Sequence, residues 1–195
     1  MNILAIDPSL RSLGLAWTQR NKLRFETIKS NSLESFQTAI GRSMNTIRKL
    51  HRLNNFDVAI IEGYSYGSKG NATVTQGAVG GAIRALLILL KIPYIEIAPV
   101  SHKRIMFGKK YAGIKKTSKK DLESYLNRIE TILSTSNLSS INKMSTSDEG
   151  DAVMLLLTFQ ATVIGKSQRI FTLRNRLSKM NIPAVDELLE RKSLW

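Results

Sequence analysis

Two short, wholly apolar runs in this sequence each end at an acidic residue. The first covers residues 3–6 and is followed by Asp7, and the second covers residues 58–61 and is followed by Glu62. An apolar run without alternation is typical of a strand that is buried on both faces, as the central strands of α/β sheets are. We therefore expect an α/β fold in which Asp7 and Glu62 meet at one sheet edge if their strands are neighbours.

The rest of the chain alternates between strand and helix patterns. Residues 13–17 and 23–28 follow the first strand closely and predict an antiparallel meander. Apolar residues at helical spacing predict a helix over residues 32–53, with Ser32 as its N-cap. The remaining predicted elements are helices over residues 73–90, 119–133, 148–164 and 185–191, a strand over residues 93–97, and connections over residues 100–120 and 134–147. This order implies parallel crossover units.

The charge balance points to a polyanionic partner. The chain has 29 Lys and Arg against 15 Asp and Glu, a net charge of +14, and its hydrophobic content of 43% excludes a disordered basic tail. The absence of cysteine excludes disulfide scaffolds and thiolate metal sites, and two histidines make a zinc site of the usual kind improbable. Charge alone leaves open a ribosome-type or merely basic protein.

Two further acids stand at the start of an apolar helix. Asp148 and Asp151 are three residues apart, so they share one face of that helix. Together with Asp7 and Glu62 they would form an all-oxygen site, which suits magnesium or manganese. Two such ions, about 3.5–4 Å apart, can activate a water molecule and stabilise the leaving oxygen in phosphodiester hydrolysis.

Each of these acids also has a simple structural explanation. Asp7 precedes Pro8 and could start a turn, and Glu62 could pair with a nearby base. Asp148 and its neighbour Glu149 could be first-turn acids that interact with the helix dipole. The four acids taken together, in this order and on these elements, favour the metal site.

Four motifs in order resemble the RuvC-type Holliday junction resolvases, which have a ribonuclease H-like nuclease fold. The opening I-L-A-I-D-P-S with Gly14 resembles the family's first strand and turn, and A-I-I-E at residues 59–62 resembles the strand of its second acid. Asn71 and the glycine-rich stretch from Gln76 to Gly81 resemble the next helix. D-E-G-D-A-V at residues 148–153 resembles the family's final D-x-x-D-A helix.

The resemblance implies a mixed five-stranded sheet with helices on both faces, a nuclease domain over residues 1–165 and a basic C-terminal extension over residues 166–195. It implies that the metal-binding catalytic acids are Asp7, Glu62, Asp148 and Asp151. Glu149 is the nearest rival, but it points about 100° away from Asp148 on a helix. The implied activity is resolution of four-way or other branched DNA by paired nicks, with two Mg²⁺ per site, Mn²⁺ as a substitute, and a homodimer.

A basic segment covers residues 101–128, which contain nine Lys and Arg residues and only two acids. Such a strip suits a phosphate backbone, although an isolated charge run is more often only solvated. The resemblance implies that Lys103 and Lys119 hold the scissile phosphate, with Lys116 or Lys120 as alternatives to Lys119. The predicted DNA-binding residues of the segment are Lys103, Arg104, Lys109, Lys110, Lys115, Lys116, Lys119 and Lys120.

Two tyrosines, Tyr64 and Tyr66, follow Glu62 in a loop rich in Gly and Ser. An aromatic residue just past this acid resembles the family's wedge, which stacks on bases at the junction centre. The family usually has it three residues after the acid, where this chain has Ser65. Either tyrosine could substitute, and either could simply pack the loop.

Other functions compete with junction resolution. The same fold serves nucleases of RNA–DNA hybrids and terminase-type nucleases, and a branched-DNA-binding module without cleavage is a further class. An actin-like ATPase fits poorly, because the second glycine-rich phosphate loop is missing. The sequence shows no signal peptide or apolar span, so we expect a cytoplasmic protein with no membrane partner, and the composition is compatible with a phage origin.

Overall fold

The structure, a computed structural model, describes residues 1–19, 22–63, 71–107, 118–134, 136, 138–140 and 142–164. The first half contains strands β1 (Ile3–Asp7), β2 (Ser12–Gln19) and β3 (Lys22–Lys29), helix α1 (Phe36–Asn54) and strand β4 (Val58–Glu62). The second half contains α2 (Asn71–Leu89), β5 (Tyr94–Ile97), α3 (Pro99–Phe107), α4 (Lys119–Ser134), β6 (Ser139–Ser140) and α5 (Ser147–Ile164).

The predicted mixed five-stranded sheet is confirmed. Strands β1, β2 and β3 form the antiparallel meander, and β4 and β5 run parallel to β1, so the five main strands lie in the order 3-2-1-4-5. The two-residue strand β6 extends the β3 edge within a segment that was expected to be only a connection. A pair of serines carries no strand pattern, so this addition depends on pairing with Lys22 and Leu23.

Helices cover both faces of the sheet, as the resemblance implied. One core lies between the sheet and α4 and α5, and includes Ala5, Ile60 and Ile129. The other lies between the sheet and α1 and α2, and includes Ile47 and Ile83. Because both faces are covered, the central strands β1 and β4 are buried along their whole length, which explains their unbroken apolar runs.

Helix α1 begins later than its pattern predicted. Ser35, not Ser32, is the N-cap, and its hydroxyl oxygen accepts a hydrogen bond from the backbone N–H of Thr38 at 3.2 Å. Leu33, which seemed to begin the apolar face of this helix, is 91% exposed. The apolar residues at helical spacing therefore begin, by chance, about one turn before the helix itself.

The expectation of an irregular connection over residues 100–120 is wrong for its first part. Residues Pro99–Phe107 form α3, and Pro99 stands at the first helical position, where its missing N–H costs nothing. Phe107 packs against the core beside α5. Residues 108–117, and the helix predicted over residues 185–191, lie outside the described residues.

In the described part of the chain, no helix has both the length and the apolar character needed to cross a bilayer.

The start of β2 lies directly against the first turn of α5. A methyl group added at Gly14 would overlap the backbone carbonyl of Asp148, and these are main-chain atoms that cannot rotate aside. Only glycine allows strand and helix to approach this closely.

We therefore expect Gly14→Ala to destabilise the protein by about 1–3 kcal/mol, because the added carbon overpacks this contact. Gly41 is the matched control, because it lies in α1 and an added methyl there meets no atom within 4 Å. Gly41→Ala is expected to stabilise the helix by about 0.5–1 kcal/mol. Urea denaturation of both variants measures the difference, and equal stability of Gly14→Ala and the parent would contradict the close contact.

Candidate active site

Asp7 and Glu62 end two neighbouring parallel strands. Ile6 of β1 is paired with Ile61 of β4, so the two acids follow one residue later at the same edge. Side chains alternate along a strand, and Ala5 and Ile60 both face the core beneath α5. Asp7 and Glu62, two residues further on, therefore face α5 as well, and both are buried.

Helix α5 brings the other two acids to this edge. It packs on β1 and β2, and Asp148 and Asp151 stand near its N-terminal end. Asp148 is held from the strand side, because the hydroxyl of Ser12 donates to its Oδ2 at 2.5 Å. A hydrogen bond of 2.8 Å between the hydroxyls of Thr27 and Thr146 also ties this end of the helix to β3.

Glu149 serves the helix end rather than the cluster of acids. Thr146 is the N-cap, and its hydroxyl oxygen accepts from the backbone N–H of Glu149 at 3.1 Å. The Glu149 carboxylate in turn accepts from the backbone N–H groups of Ser145 and Thr146 at 2.7 and 3.1 Å. This reciprocal arrangement is a capping box. It supports the prediction that the i, i+3 pair, and not Glu149, faces the site.

Asp151 is contacted from two other helices. The hydroxyl of Tyr125, on α4, donates a hydrogen bond to its Oδ1. The ammonium group of Lys103, on α3, lies 3.7 Å from the same oxygen. Burial, and then the charge of Asp151, raise the pKa of Tyr125 above its ordinary value, so this hydroxyl stays protonated and acts as a donor.

The four acids are close enough to influence one another. Burial is the largest cause that raises the pKa of Asp7 well above its usual value, and the charge of Glu62 is the second. Asp7 and Glu62 also share a side-chain hydrogen bond, and the charges of Asp151 and Asp148 raise the pKa of Asp7 further. A buried group of carboxylates of this kind is unfavourable unless protons or cations compensate it.

The donor set fits a magnesium or manganese ion, because every side chain it offers is a carboxylate oxygen. Among the described residues, no three acids are already arranged around one cation position. Each acid instead interacts with another side chain. Asp7 and Glu62 share a hydrogen bond, and Asp148 accepts one from Ser12. Asp151 accepts a hydrogen bond from α4 and forms an ion pair with α3. Cation binding therefore requires some of these side chains to reorient.

The structure describes only some of the predicted basic and aromatic site residues. Lys103 lies at the site, whereas Lys119 and Lys120 are exposed at the start of α4, whose N-cap is Ser118. The predicted residues outside the description are Tyr64, Tyr66, Lys109, Lys110, Lys115, Lys116 and the side chain of Arg104.

Sequence reasoning missed Ser12 and Tyr125, which hold two of the acids. Ser12 carried no sequence signal for this role, since only the packing of α5 on β2 brings it near Asp148. Tyr125 carried a weak sequence signal, because it stands on the buried face of the amphipathic helix α4 with Leu126 and Ile129. A tyrosine is the one residue of that apolar face with a hydroxyl to place.

Replacing Asp7 by asparagine should stabilise the cation-free protein at neutral pH. Below about pH 4 an unfolded aspartate is protonated, as is folded Asp7, so the substitution should have little effect there. As the pH rises, the unfolded carboxyl ionises first because the pKa of folded Asp7 is raised, and the parent protein loses stability relative to Asp7→Asn. We expect a gain of about 0.5–2 kcal/mol at pH 8, measured by urea denaturation in EDTA.

Asp57→Asn is the control for this prediction. Its carboxylate is exposed and accepts a hydrogen bond from the backbone N–H of Asn2 at 2.6 Å, so the substitution relieves no buried charge. A gain for Asp7→Asn that is the same at pH 4 and pH 8 would argue against a buried, mutually repelling cluster.

No protein-family model matches this sequence, and no curated protein matches it. Solved structures do match. RuvC of Thermus thermophilus in complex with a Holliday junction substrate has a TM-score of 0.63 and 17% identity, over 85% of this chain and 97% of that one. A second Thermus thermophilus RuvC structure has a TM-score of 0.60 and 18% identity, over 83% and 95% of the two chains.

The yeast mitochondrial Holliday junction resolvase has a TM-score of 0.53 and 15% identity, over 91% of this chain and 83% of that one. At these identities the likeness concerns the fold. The chain therefore has the ribonuclease H-like fold of RuvC-type Holliday junction resolvases.

Proposed function

We propose that this protein is a divalent-metal-dependent endonuclease that resolves four-way DNA junctions by paired nicks. The observation that carries the proposal is that Asp7, Glu62, Asp148 and Asp151 come from three separate elements to one edge of a RuvC-like sheet. A chain with a net charge of +14 has no structural need to gather four of its scarce acids in a cluster of which three are buried and one, Asp148, is half-buried. A cluster that holds cations against a phosphodiester explains the arrangement.

In this proposal the four carboxylates hold Mg²⁺, with Mn²⁺ as a substitute and two ions per site. The bound ions would activate water and neutralise the leaving 3′ oxygen. Ser12 orients Asp148, and Tyr125 orients Asp151. The ammonium of Lys103 is partly exposed beside Asp151, where it can interact with the scissile phosphate and stabilise the charge that develops on it.

The proposed DNA path leads from the acids across α3 and α4. Lys120 and Arg128 line a shallow groove on the outer face of α4, together with the polar residues Ser124, Asn127 and Thr131 and one acid, Glu123. Such a mixture of cations and small polar side chains suits phosphate contacts that carry no sequence information. Lys119 adjoins this groove at the helix start. Three further parts of this proposal stay predictions. They are the contacts of the remaining predicted basic residues, the role of Tyr64 or Tyr66 as a wedge, and the role of residues 166–195 as a basic extension of the nuclease domain.

The direct test compares labelled four-way junction, linear duplex and RNA–DNA hybrid in Mg²⁺ and in EDTA. We expect metal-dependent, paired nicks in the junction. Asp7→Asn and Glu62→Gln should each reduce the cleavage rate by at least about a thousandfold, because each removes a ligand charge at the proposed centre, while junction binding stays within about threefold. Glu149→Gln is the matched control, and it should retain cleavage because Glu149 caps the helix.

The other outcomes select the other functions. Preferential cutting of the hybrid would identify a ribonuclease H activity, and cutting of linear duplex would favour a terminase-type nuclease. Tight junction binding without cleavage in Mg²⁺ or Mn²⁺ would identify a binding module. Cleavage that survives both Asp7→Asn and Glu62→Gln would show that the reaction takes place elsewhere.

A homodimer is the second part of the proposal, because two matched nicks require two active sites related by a two-fold axis. Helix α2 offers a surface for it. Within residues 74–89, its solvent face carries three large apolar side chains, with Val74 73%, Ile88 64% and Leu89 75% exposed. Between them, at spacings of three and four residues, stand the exposed small residues Ala78, Gly81 and Ala85. Small residues at this spacing allow two helices to pack closely.

A charge on this face should dissociate the dimer. We expect Ile88→Glu to convert a dimer into a monomer in light scattering coupled to size-exclusion chromatography, since a buried unpaired charge is strongly unfavourable. Leu33→Glu is the control, because Leu33 is equally apolar and more exposed but lies between β3 and α1. A monomeric parent protein, or a dimer unaffected by Ile88→Glu, would rule out this surface.

A further inference from the structure

A hydrogen bond and an ion pair converge on a single oxygen of Asp151. The hydroxyl of Tyr125 and the ammonium of Lys103 both contact Oδ1, although they come from different helices. The side chains of Lys103 and Asp151 are 17% and 11% exposed, so water competes only weakly for this oxygen. The orientation of the Asp151 carboxylate is therefore set from the side of α3 and α4.

The position of the Tyr125 hydroxyl is itself closely defined. The ring is almost completely buried, and it makes an edge-to-face contact with Phe107 of α3, with ring centres 5.8 Å apart. On the opposite side it lies against α5, where a methyl group added at Gly150 would come within 2.9 Å of both Tyr125 and Leu126. Glycine at this position lets α4 approach α5 closely enough for the hydroxyl to reach Asp151.

We propose that Tyr125 is a positioning residue that tunes which cation Asp151 accepts, an inference that rests on the proposed metal site. While the hydroxyl donates to Oδ1, a cation can bind both oxygens of Asp151 only by displacing this hydrogen bond or by sharing Oδ1 with it. Magnesium suits this, because it takes carboxylates through single oxygens in a strict octahedron. Calcium is larger, takes six to eight oxygens, and often binds both oxygens of one carboxylate. Tyr125 therefore favours Mg²⁺ over Ca²⁺.

The test is a cation titration followed by thermal unfolding, in the absence of DNA. The variants are Tyr125→Phe, which keeps the ring packing and removes the hydroxyl, and Tyr94→Phe as the matched control. Tyr94 lies at the far end of β5 and packs in the opposite core. We expect Tyr125→Phe to raise the apparent Ca²⁺ affinity about tenfold, the equivalent of one charge-assisted hydrogen bond that Ca²⁺ no longer has to displace. The Mg²⁺ affinity should change by less than about threefold.

A second variant guards against misfolding of Tyr125→Phe. Lys103→Met removes the ion pair to Oδ1, and it should shift the preference toward Ca²⁺ in the same direction but by less, because this contact is longer than the hydrogen bond of Tyr125. Each variant is compared with its own cation-free melting temperature, so a difference in basal stability does not affect the comparison.

The outcomes separate this inference from the proposed function. If the parent protein is stabilised by Mg²⁺ and Asp151→Asn abolishes that response, the site is real. In that case an unchanged preference in both Tyr125→Phe and Lys103→Met overturns the role of Tyr125 alone. An equal loss of affinity for both cations overturns it too, since Tyr125 would then be general support for the site. A parent protein with no cation response overturns the metal site and this inference together.

Discussion

The parallel pairing of β1 with β4 is the constraint on which the site depends. It brings two carboxylates side by side at the sheet edge, in a position where burial and like charge both oppose ionisation. The neighbouring elements compensate for this arrangement: β2 supplies a hydroxyl to Asp148, and α3 and α4 supply an ammonium and a phenol to Asp151. The stability that this edge sacrifices is the usual cost of a site built to bind something charged.

The parts of the site that follow from local periodicity could be predicted from the sequence. Side chains alternate along a strand, so the acids that end β1 and β4 face one side together once these strands pair in parallel. Residues three apart share a helix face, so Asp148 and Asp151 had to point the same way while Glu149 turned aside. The capping box at Thr146 is a local pattern as well, and it explains Glu149 without a catalytic role. The inferences about α5 needed no information about distant contacts, whereas the meeting of Asp7 and Glu62 also required the pairing of β1 with β4.

The parts that depend on long-range contacts could not be predicted. Nothing near Ser12 marks it as the partner of a residue 136 positions away, and nothing near Tyr125 marks its hydroxyl as a donor to Asp151. The start of α1 was misplaced because an apolar residue at helical spacing does not reveal whether it faces protein or water, and Leu33 faces water. Helix α3 was missed because basic residues obscured a short helix whose last residue, Phe107, packs against the core.

The first turn of α5 has a consequence for how such a chain can change during evolution. Four successive residues there contact four different neighbours: Asp148 contacts β2, Glu149 the preceding turn, Gly150 α4, and Asp151 both α3 and α4. Insertion or deletion of one residue within this segment would rotate every residue that follows it by about 100° and separate those residues from their partners at once. The length of this turn is therefore under stronger constraint than the identity of any one residue within it.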